Sequence, residues 1–316
     1  MRRTSLTLLA TSLVCLLQAA PIHAQAFRTW VSGVGDDANP CSRTAPCKTF
    51  AGAISKTALN GEINCLDPGG FGAVTITKSI TIDCHEVFAS FLNAGTTGIN
   101  IPFDSFAAAD VRKTVRLRNI NFNGVDTGLI GIRITGGAVI AGGAVVIEDC
   151  LIDGNFAGAA RDISDERMGG GKLFVSNTTV RNVGQAGIAI APASGTTRLN
   201  AVLDNVRVQN SGFGVAVSGS QVMINRSVFS GHAQAGAFAA TNSEVNLSNS
   251  VTSNNSTGVQ NAGGAVIRLS NTDIAFNGTA ISGATQSFST NRIQGNVALG
   301  TAPTPIGSTS NPTGLQ

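Results

Sequence analysis

The sequence contains no tyrosine, one tryptophan (Trp30), three histidines and only 12% charged residues over its 316 positions. Tyr and Trp rings on which carbohydrate-binding clefts often stack sugars are therefore scarce. Phenylalanine can substitute, but it lacks the polar handle. The formal net charge is +3, and Arg2 and Arg3 supply two of those charges. Without a broad basic field, no nucleic-acid partner is expected. After the first two dozen residues no apolar run reaches membrane length, so no membrane span is expected. The 38 glycines follow no period of three, which excludes collagen. The cysteine spacings do not resemble a zinc site, and no metal site is read from them.

What is present begins with an export signal. Arg2 and Arg3 precede an apolar stretch from Leu6 to Leu17, then Pro21 and the small-residue site Ala24-Gln25-Ala26. Residues 1–26 read as a cleaved signal peptide, and the expected location is secreted, periplasmic or cell surface. Export permits disulfides. Cys41 and Cys47 flank a Pro-bearing loop, and Cys65 and Cys84 each end a short β-type run. The expected pairs are Cys41–Cys47 and Cys65–Cys84, although spacing alone leaves the connectivity open. Cys150 lies in an apolar strand and reads as a buried thiol.

About 290 residues remain, enough for one elongated domain. From residue 111 onward one unit recurs. Val115-Arg116-Leu117-Arg118-Asn119, Leu173-Phe174-Val175-Ser176-Asn177, Ala201-Val202-Leu203-Asp204-Asn205 and Val245-Asn246-Leu247-Ser248-Asn249 are clear copies. The last four steps between turn residues are 21, 23, 22 and 20 residues. A period in the twenties is a solenoid signature, because stacked coils bury together what one coil cannot bury alone.

The inward positions follow by counting from the turn residue. Two before it stand Leu117, Ile147, Val175, Leu203, Ile224, Leu247 and Leu269. Three after it stand Phe122, Ile152, Val180, Val208, Phe229 and Ile274, with Thr252 the exception. The parity of the inward set changes across the turn residue. A flat strand cannot do this, whereas a bend between two short sheets can. The expected fold class is all-β: a single-stranded right-handed parallel β-helix with an N-terminal capping helix. Asn119, Asn177, Asn205, Asn249, Asn271 and Asn291, with Asp149, form a structural row at the bend. Asx side chains bond to nearby backbone there and tolerate the left-handed conformation. Within this scheme residues 27–65 carry a strand, a loop and the cap helix, with helical spacing over 48–59. Residues 66–300 form the solenoid and 301–316 a flexible tail.

The opening elements sharpen the reading. Asp36-Asp37-Ala38-Asn39-Pro40, Pro46-Cys47-Lys48-Thr49-Phe50 and Leu66-Asp67-Pro68-Gly69, followed by generic coils with an asparagine row, resemble the secreted β-helix proteins of the pectate-lyase-like superfamily. That resemblance implies the fold over nearly all of the mature chain. Its members include polysaccharide lyases, hydrolases, epimerases and adhesins, so the fold alone does not give an activity.

The residues that fit such chemistry best are local. Asp149 and Asp153 lie on one coil. Asp162, Asp165 and Glu166 lie in a stretch, 156–171, that reads as an insertion walling a groove, with Met168 to Gly171 letting it move. Asp153 and Arg181, each four after its turn residue, are expected on adjacent coils facing solvent. If the chain is a lyase, Asp149, Asp162, Asp165 and Glu166 are the binding set, with Ca²⁺ as the only cofactor implied by the resemblance, and Asp153 and Arg181 are the catalytic candidates. His232 has no partner placed by the sequence and reads as a surface residue. The featureless late coils and near-neutral charge favour a non-catalytic secreted or surface protein, expected to be a monomer. The alternatives are a lyase or hydrolase of an acidic polysaccharide, and a carbohydrate-binding protein without chemistry.

Overall fold

The computed structural model describes residues 25–307, apart from 86, 139–141 and 193–196. The signal-peptide reading falls almost wholly outside the described residues. The chain winds into a right-handed parallel β-helix in which, among the described residues, every pairing between strands is parallel, with register shifts between Ala26 and Arg28 and between Val183 and Ala186. A 12-stranded sheet forms the first face. An 18-stranded sheet forms the second and third faces, fused where the strands Thr179–Ile190 and Arg207–Val217 run around the corner.

The inward set stacks coil on coil. Leu173, Ala201, Val222, Val245 and Ile267 are successive register partners on the first sheet, and all are buried. Phe122, Ile152, Val180, Val208 and Phe229 do the same on the second, with Thr252 buried among them. The parity change falls on a residue in the left-handed region: Asn119, Asp149, Asn177, Asn205, Arg226, Asn249 and Asn271 have φ between 45° and 56°. Each L residue there is strained by its Cβ, and Asn tolerates it best. The amides also bond along the axis. Asn205 Nδ2 donates to Asn177 Oδ1 (2.8 Å), and Asn271 Nδ2 to Asn249 Oδ1 (2.7 Å). Where Arg226 interrupts the row, Asn249 donates to the neighbouring Asn225 instead (2.9 Å).

Asn291 does not belong to this row. On the last coil Leu269 pairs with Ser287, so the bend falls on Ser289, with φ 63°. Asn291 tucks in behind it, donating to Leu269 O and accepting from Thr272 N. The cap helix α1 (Phe50–Lys56) is shorter than its apolar spacing predicts, because Thr57–Cys65 already belongs to the first sheet. Thr49 caps it by accepting from Gly52 N. The solenoid also runs past 300, since Thr304–Pro305 pairs with Gln286–Ser287. Its Pro/Thr composition hides an edge strand, where proline costs no ladder bond. Disulfides join Cys41 to Cys47 and Cys65 to Cys84, and Cys150 is a buried thiol whose pKa burial pushes up to about 12.

Candidate functional site

The acidic residues singled out from the sequence are not brought together. Residues Arg161–Asp165 are no insertion folded back over a face. They form a strand of the third sheet, paired on one side with Ile130–Thr135 and on the other with the 186–190 segment. Asp162 and Asp165 consequently point into the core, and neither has exposed surface.

Asp165 meets Arg167 in a buried pair. Arg167 Nε donates to Asp165 Oδ1 (2.9 Å) and Nη2 to Oδ2 (2.6 Å). The remaining guanidinium donors reach Gly143 O (2.7 Å) and Lys172 O (3.2 Å), and Phe103 lies 5.0 Å beneath. This fork plugs the corner where the third sheet returns to the first. Gly171 has φ +150°, and a Cβ there would meet Arg167 Nη1 at 2.3 Å. Gly171 therefore makes room for the plug.

Asp162 occupies a different niche. Gly131, Gly187, Gly214, Gly236 and Gly258 share one register row, and a Cβ on each would meet the next coil's carbonyl oxygen or a core side chain. Asp162 stands in that row and thrusts its carboxyl into the core. Asn155 Nδ2 donates to its Oδ1 (2.6 Å), and Asn93 Nδ2 donates in turn to Asn155 Oδ1 (2.6 Å). Burial pushes the Asp162 pKa well up, the Asn155 bond opposes this, and the nearby Asp153 charge adds to it. The folded pKa thus lies above the unfolded value of about 3.9. The stability that this raised pKa contributes is fully present below the unfolded pKa and is lost as pH rises toward the folded one. Asp162→Asn is accordingly expected to leave the melting temperature unchanged near pH 3.5 and to raise it as the pH climbs above the unfolded pKa toward the folded one. A variant that melts lower than the parent at pH 8 would mean that the carboxyl is needed in its charged form.

The remaining predicted residues face outward on separate surfaces. Asp153 and Arg181 are register partners on the second sheet, with Nε to Oδ2 at 2.8 Å, and Asn182 Nδ2 holds Asp153 Oδ1 (2.8 Å). Both carboxylate oxygens are engaged, in a partly exposed pair of the kind that contributes little. Glu166 sits on the third sheet, bound by Arg133 (2.8 Å) and near Arg161 (3.6 Å). Asp149 is exposed at the bend. Among the described residues no group of three or more His, Cys, Asp or Glu side chains is placed to hold a metal ion. The proposed calcium ligands therefore do not fit that ion, which takes six to eight oxygens. His232 is also not a surface residue. It is buried beside Ser211, with Nδ1 2.7 Å from Oγ, and burial pushes its pKa down to about 4.

A different surface converges. On the outer face of the first sheet, Arg116, Val146, Phe174, Val202, Met223, Asn246 and Arg268 are successive register partners. Phe174, Val202 and Met223 are exposed, forming an apolar strip along the axis. Beside it runs Thr114, Ala144, Lys172, Asn200, Gln221 and Glu244. Two depressions of about 400 and 480 Å³ follow these rows and share Lys172 and Asn200. The first has the apolar strip as its floor. The second is lined by Arg112, Lys172, Arg198 and the glycines above the Arg167 plug. Together they form a groove with an apolar floor, amide donors along one side and basic groups toward one end. Glu244, at the other end, accepts from Arg198 Nη1 (2.7 Å), and Arg268 Nη1 lies 3.5 Å from its second oxygen. The Arg198 bond holds the Glu244 carboxyl below its usual range, with Arg268 adding to the effect. The sequence carried a signal for this groove: the residues three before the turn, Val146, Phe174, Val202 and Met223, are apolar on four consecutive coils although their parity points them outward.

Residues 167–313 match the family model described as the right handed beta helix region. Solved structures with this architecture include pectate lyase Pel9A, at 14% identity and a TM-score of 0.57 over 89% of this chain and 80% of that one. They also include the GH136 lacto-N-biosidase from Eubacterium ramulus, at 10% identity and a TM-score of 0.53 over 88% and 67%. No curated protein matches the chain. The chain has the right-handed parallel β-helix fold, an architecture that it shares with a pectate lyase and a lacto-N-biosidase.

Proposed function

We propose that this is an exported, polysaccharide-directed β-helix protein whose ligand is an extended acidic glycan lying along the outer face of the first sheet. The carrying observation is the groove itself. Coils repeat about every 4.8 Å, so each outward row offers similar contacts to successive units of a linear polymer. The Phe174–Val202–Met223 strip can take the apolar faces of sugar rings. Asn200 and Gln221 can bond hydroxyls, and Arg112, Lys172 and Arg198 suit carboxylates. The similar fold of a pectate lyase and a lacto-N-biosidase supports a glycan ligand over a purely structural role.

Of the two chemistries open to such a protein, elimination fits better than hydrolysis. Hydrolysis uses two carboxyl groups flanking the scissile bond. On this face Glu148 is near Arg116 and Arg118, Asp204 is bound by Arg226, and Glu244 by Arg198 and Arg268. Elimination instead needs cationic neutralisation of the uronate together with a proton acceptor, and Lys172, which lines the depression and has no carboxylate partner among the described residues, can supply the cation. Incubation with pectate, alginate and other uronate polymers, with and without Ca²⁺, tests both levels. Retardation in gels containing an acidic polymer, lost in Phe174→Ala and weakened in Lys172→Ala, is the expected binding result. Ultraviolet absorbance of an unsaturated product is the expected sign of elimination. Retardation unchanged by either substitution would place the ligand elsewhere, and reducing ends without that absorbance would favour hydrolysis.

A further inference from the structure

Glu244 is a carboxylate held between two arginines at the end of a groove otherwise suited to carboxylates. Its geometry has three parts. Glu244 is the register successor of Gln221 in the row that lines the groove. Arg198 begins in the wall of the basic depression and reaches across the intervening coil to Glu244 Oε1 at 2.7 Å. Arg268, two coils beyond Met223 in the row that carries the apolar strip, lies 3.5 Å from Oε2 and equally far from Asn246 Oδ1. All three side chains keep between 31% and 39% of their surface exposed, so the pair can open without unfolding a coil.

From this arrangement we infer that Glu244 acts as a built-in competitor for the ligand's carboxylate: it neutralises Arg198 and Arg268 in the empty groove and yields them when an acidic glycan enters. The inference rests on the proposed glycan-binding reading and adds a specificity residue to it. Neutral glycans do not displace Glu244, because they offer the arginines no compensating anion. A polymer with closely spaced carboxylates displaces it at low cost, since an exposed ion pair of this kind is weak. Glu244 thereby sets a threshold of charge density below which the groove stays closed to ligand at this end.

The experiment compares the parent protein with Glu244→Gln, Arg198→Ala and a charge control, Asp273→Asn, whose pair with Arg292 lies on the second sheet. Binding to polygalacturonate and to the same polymer with its carboxyls methyl-esterified is measured by calorimetry at two salt concentrations. Glu244→Gln is expected to bind the acidic polymer roughly fivefold more tightly and with a steeper salt dependence. It should leave binding of the esterified polymer unchanged, as should Asp273→Asn for both polymers. Arg198→Ala should weaken acidic binding. Equal or weaker binding by Glu244→Gln, with the parent binding normally, overturns the competitor role while leaving the glycan reading intact. Equal tightening by Asp273→Asn also overturns it, because net charge would then suffice. Binding by Glu244→Gln alone, with none by the parent, is its strongest support. Absence of binding by every variant overturns both this inference and the reading beneath it.

Discussion

Arg167→Met is expected to destabilise the protein by about 3–5 kcal/mol, seen as a large fall in the urea midpoint. Arg167 is the largest fully buried side chain described, and its guanidinium binds Asp165 through two bonds. Methionine keeps much of the apolar stem but leaves the Asp165 carboxylate buried and unpaired. It also removes the donors to Gly143 O and Lys172 O, two inward carbonyls at the same corner. An uncompensated buried charge costs far more than a lost surface pair. The double variant Asp165→Leu/Arg167→Met should recover much of the loss, because it removes both charges together. A single variant that loses less than about 1 kcal/mol would show that water reaches this corner and that the plug is not dry. The result also bears on the groove. Gly143, Gly171 and Lys172 line the basic depression and are held from beneath by Arg167, so partial loosening should weaken glycan binding before global unfolding.

The sequence was most legible where one side-chain type repeats at one offset. The apolar rows and the asparagine bend repeat on coil after coil, and the parity change between them required a corner. The third sheet was harder to read. In Arg161–Asp165 only Ile163 is apolar, so a strand buried on its inner face looks like a charged surface loop. Its burial comes from register with Ile130–Thr135, a long-range fact that local pattern does not encode. Buried polar rows were also invisible. Ser227, Ser250 and Thr272, each directly after a bend, bond back to the carbonyl two residues earlier (2.6 to 2.9 Å). Ser227 and Ser250 also accept the backbone N–H of the preceding coil (3.1 Å). Hydroxyls and amides read as solvent-facing until a neighbouring coil is known to satisfy them. The same limit explains the misplaced site. Charged residues close in sequence looked like a cluster, but a solenoid gathers residues by row, and the row that converges is made of four unremarkable apolar residues.

Leu203→Ala tests that row logic most directly and should cost about 2–5 kcal/mol. Leu203 is fully buried, stacked between Val175 and Ile224 in the first-sheet core. Truncation removes its packing and leaves a cavity that the coils above and below cannot close without shifting register. Val202, one residue earlier, is partly exposed and lies between Phe174 and Met223 in the groove floor. Val202→Ala should cost no more than about 0.5–1 kcal/mol and should act on ligand instead, reducing retardation in acidic polymer gels. The two neighbours are therefore expected to separate stability from binding: one lowers the unfolding midpoint and leaves retardation unchanged at temperatures where it is folded, and the other does the reverse. Comparable stability losses at both positions would mean that the inward and outward rows are wrongly assigned. Unchanged retardation in Val202→Ala, with Phe174→Ala still defective, would confine the binding floor to the coil that carries Phe174.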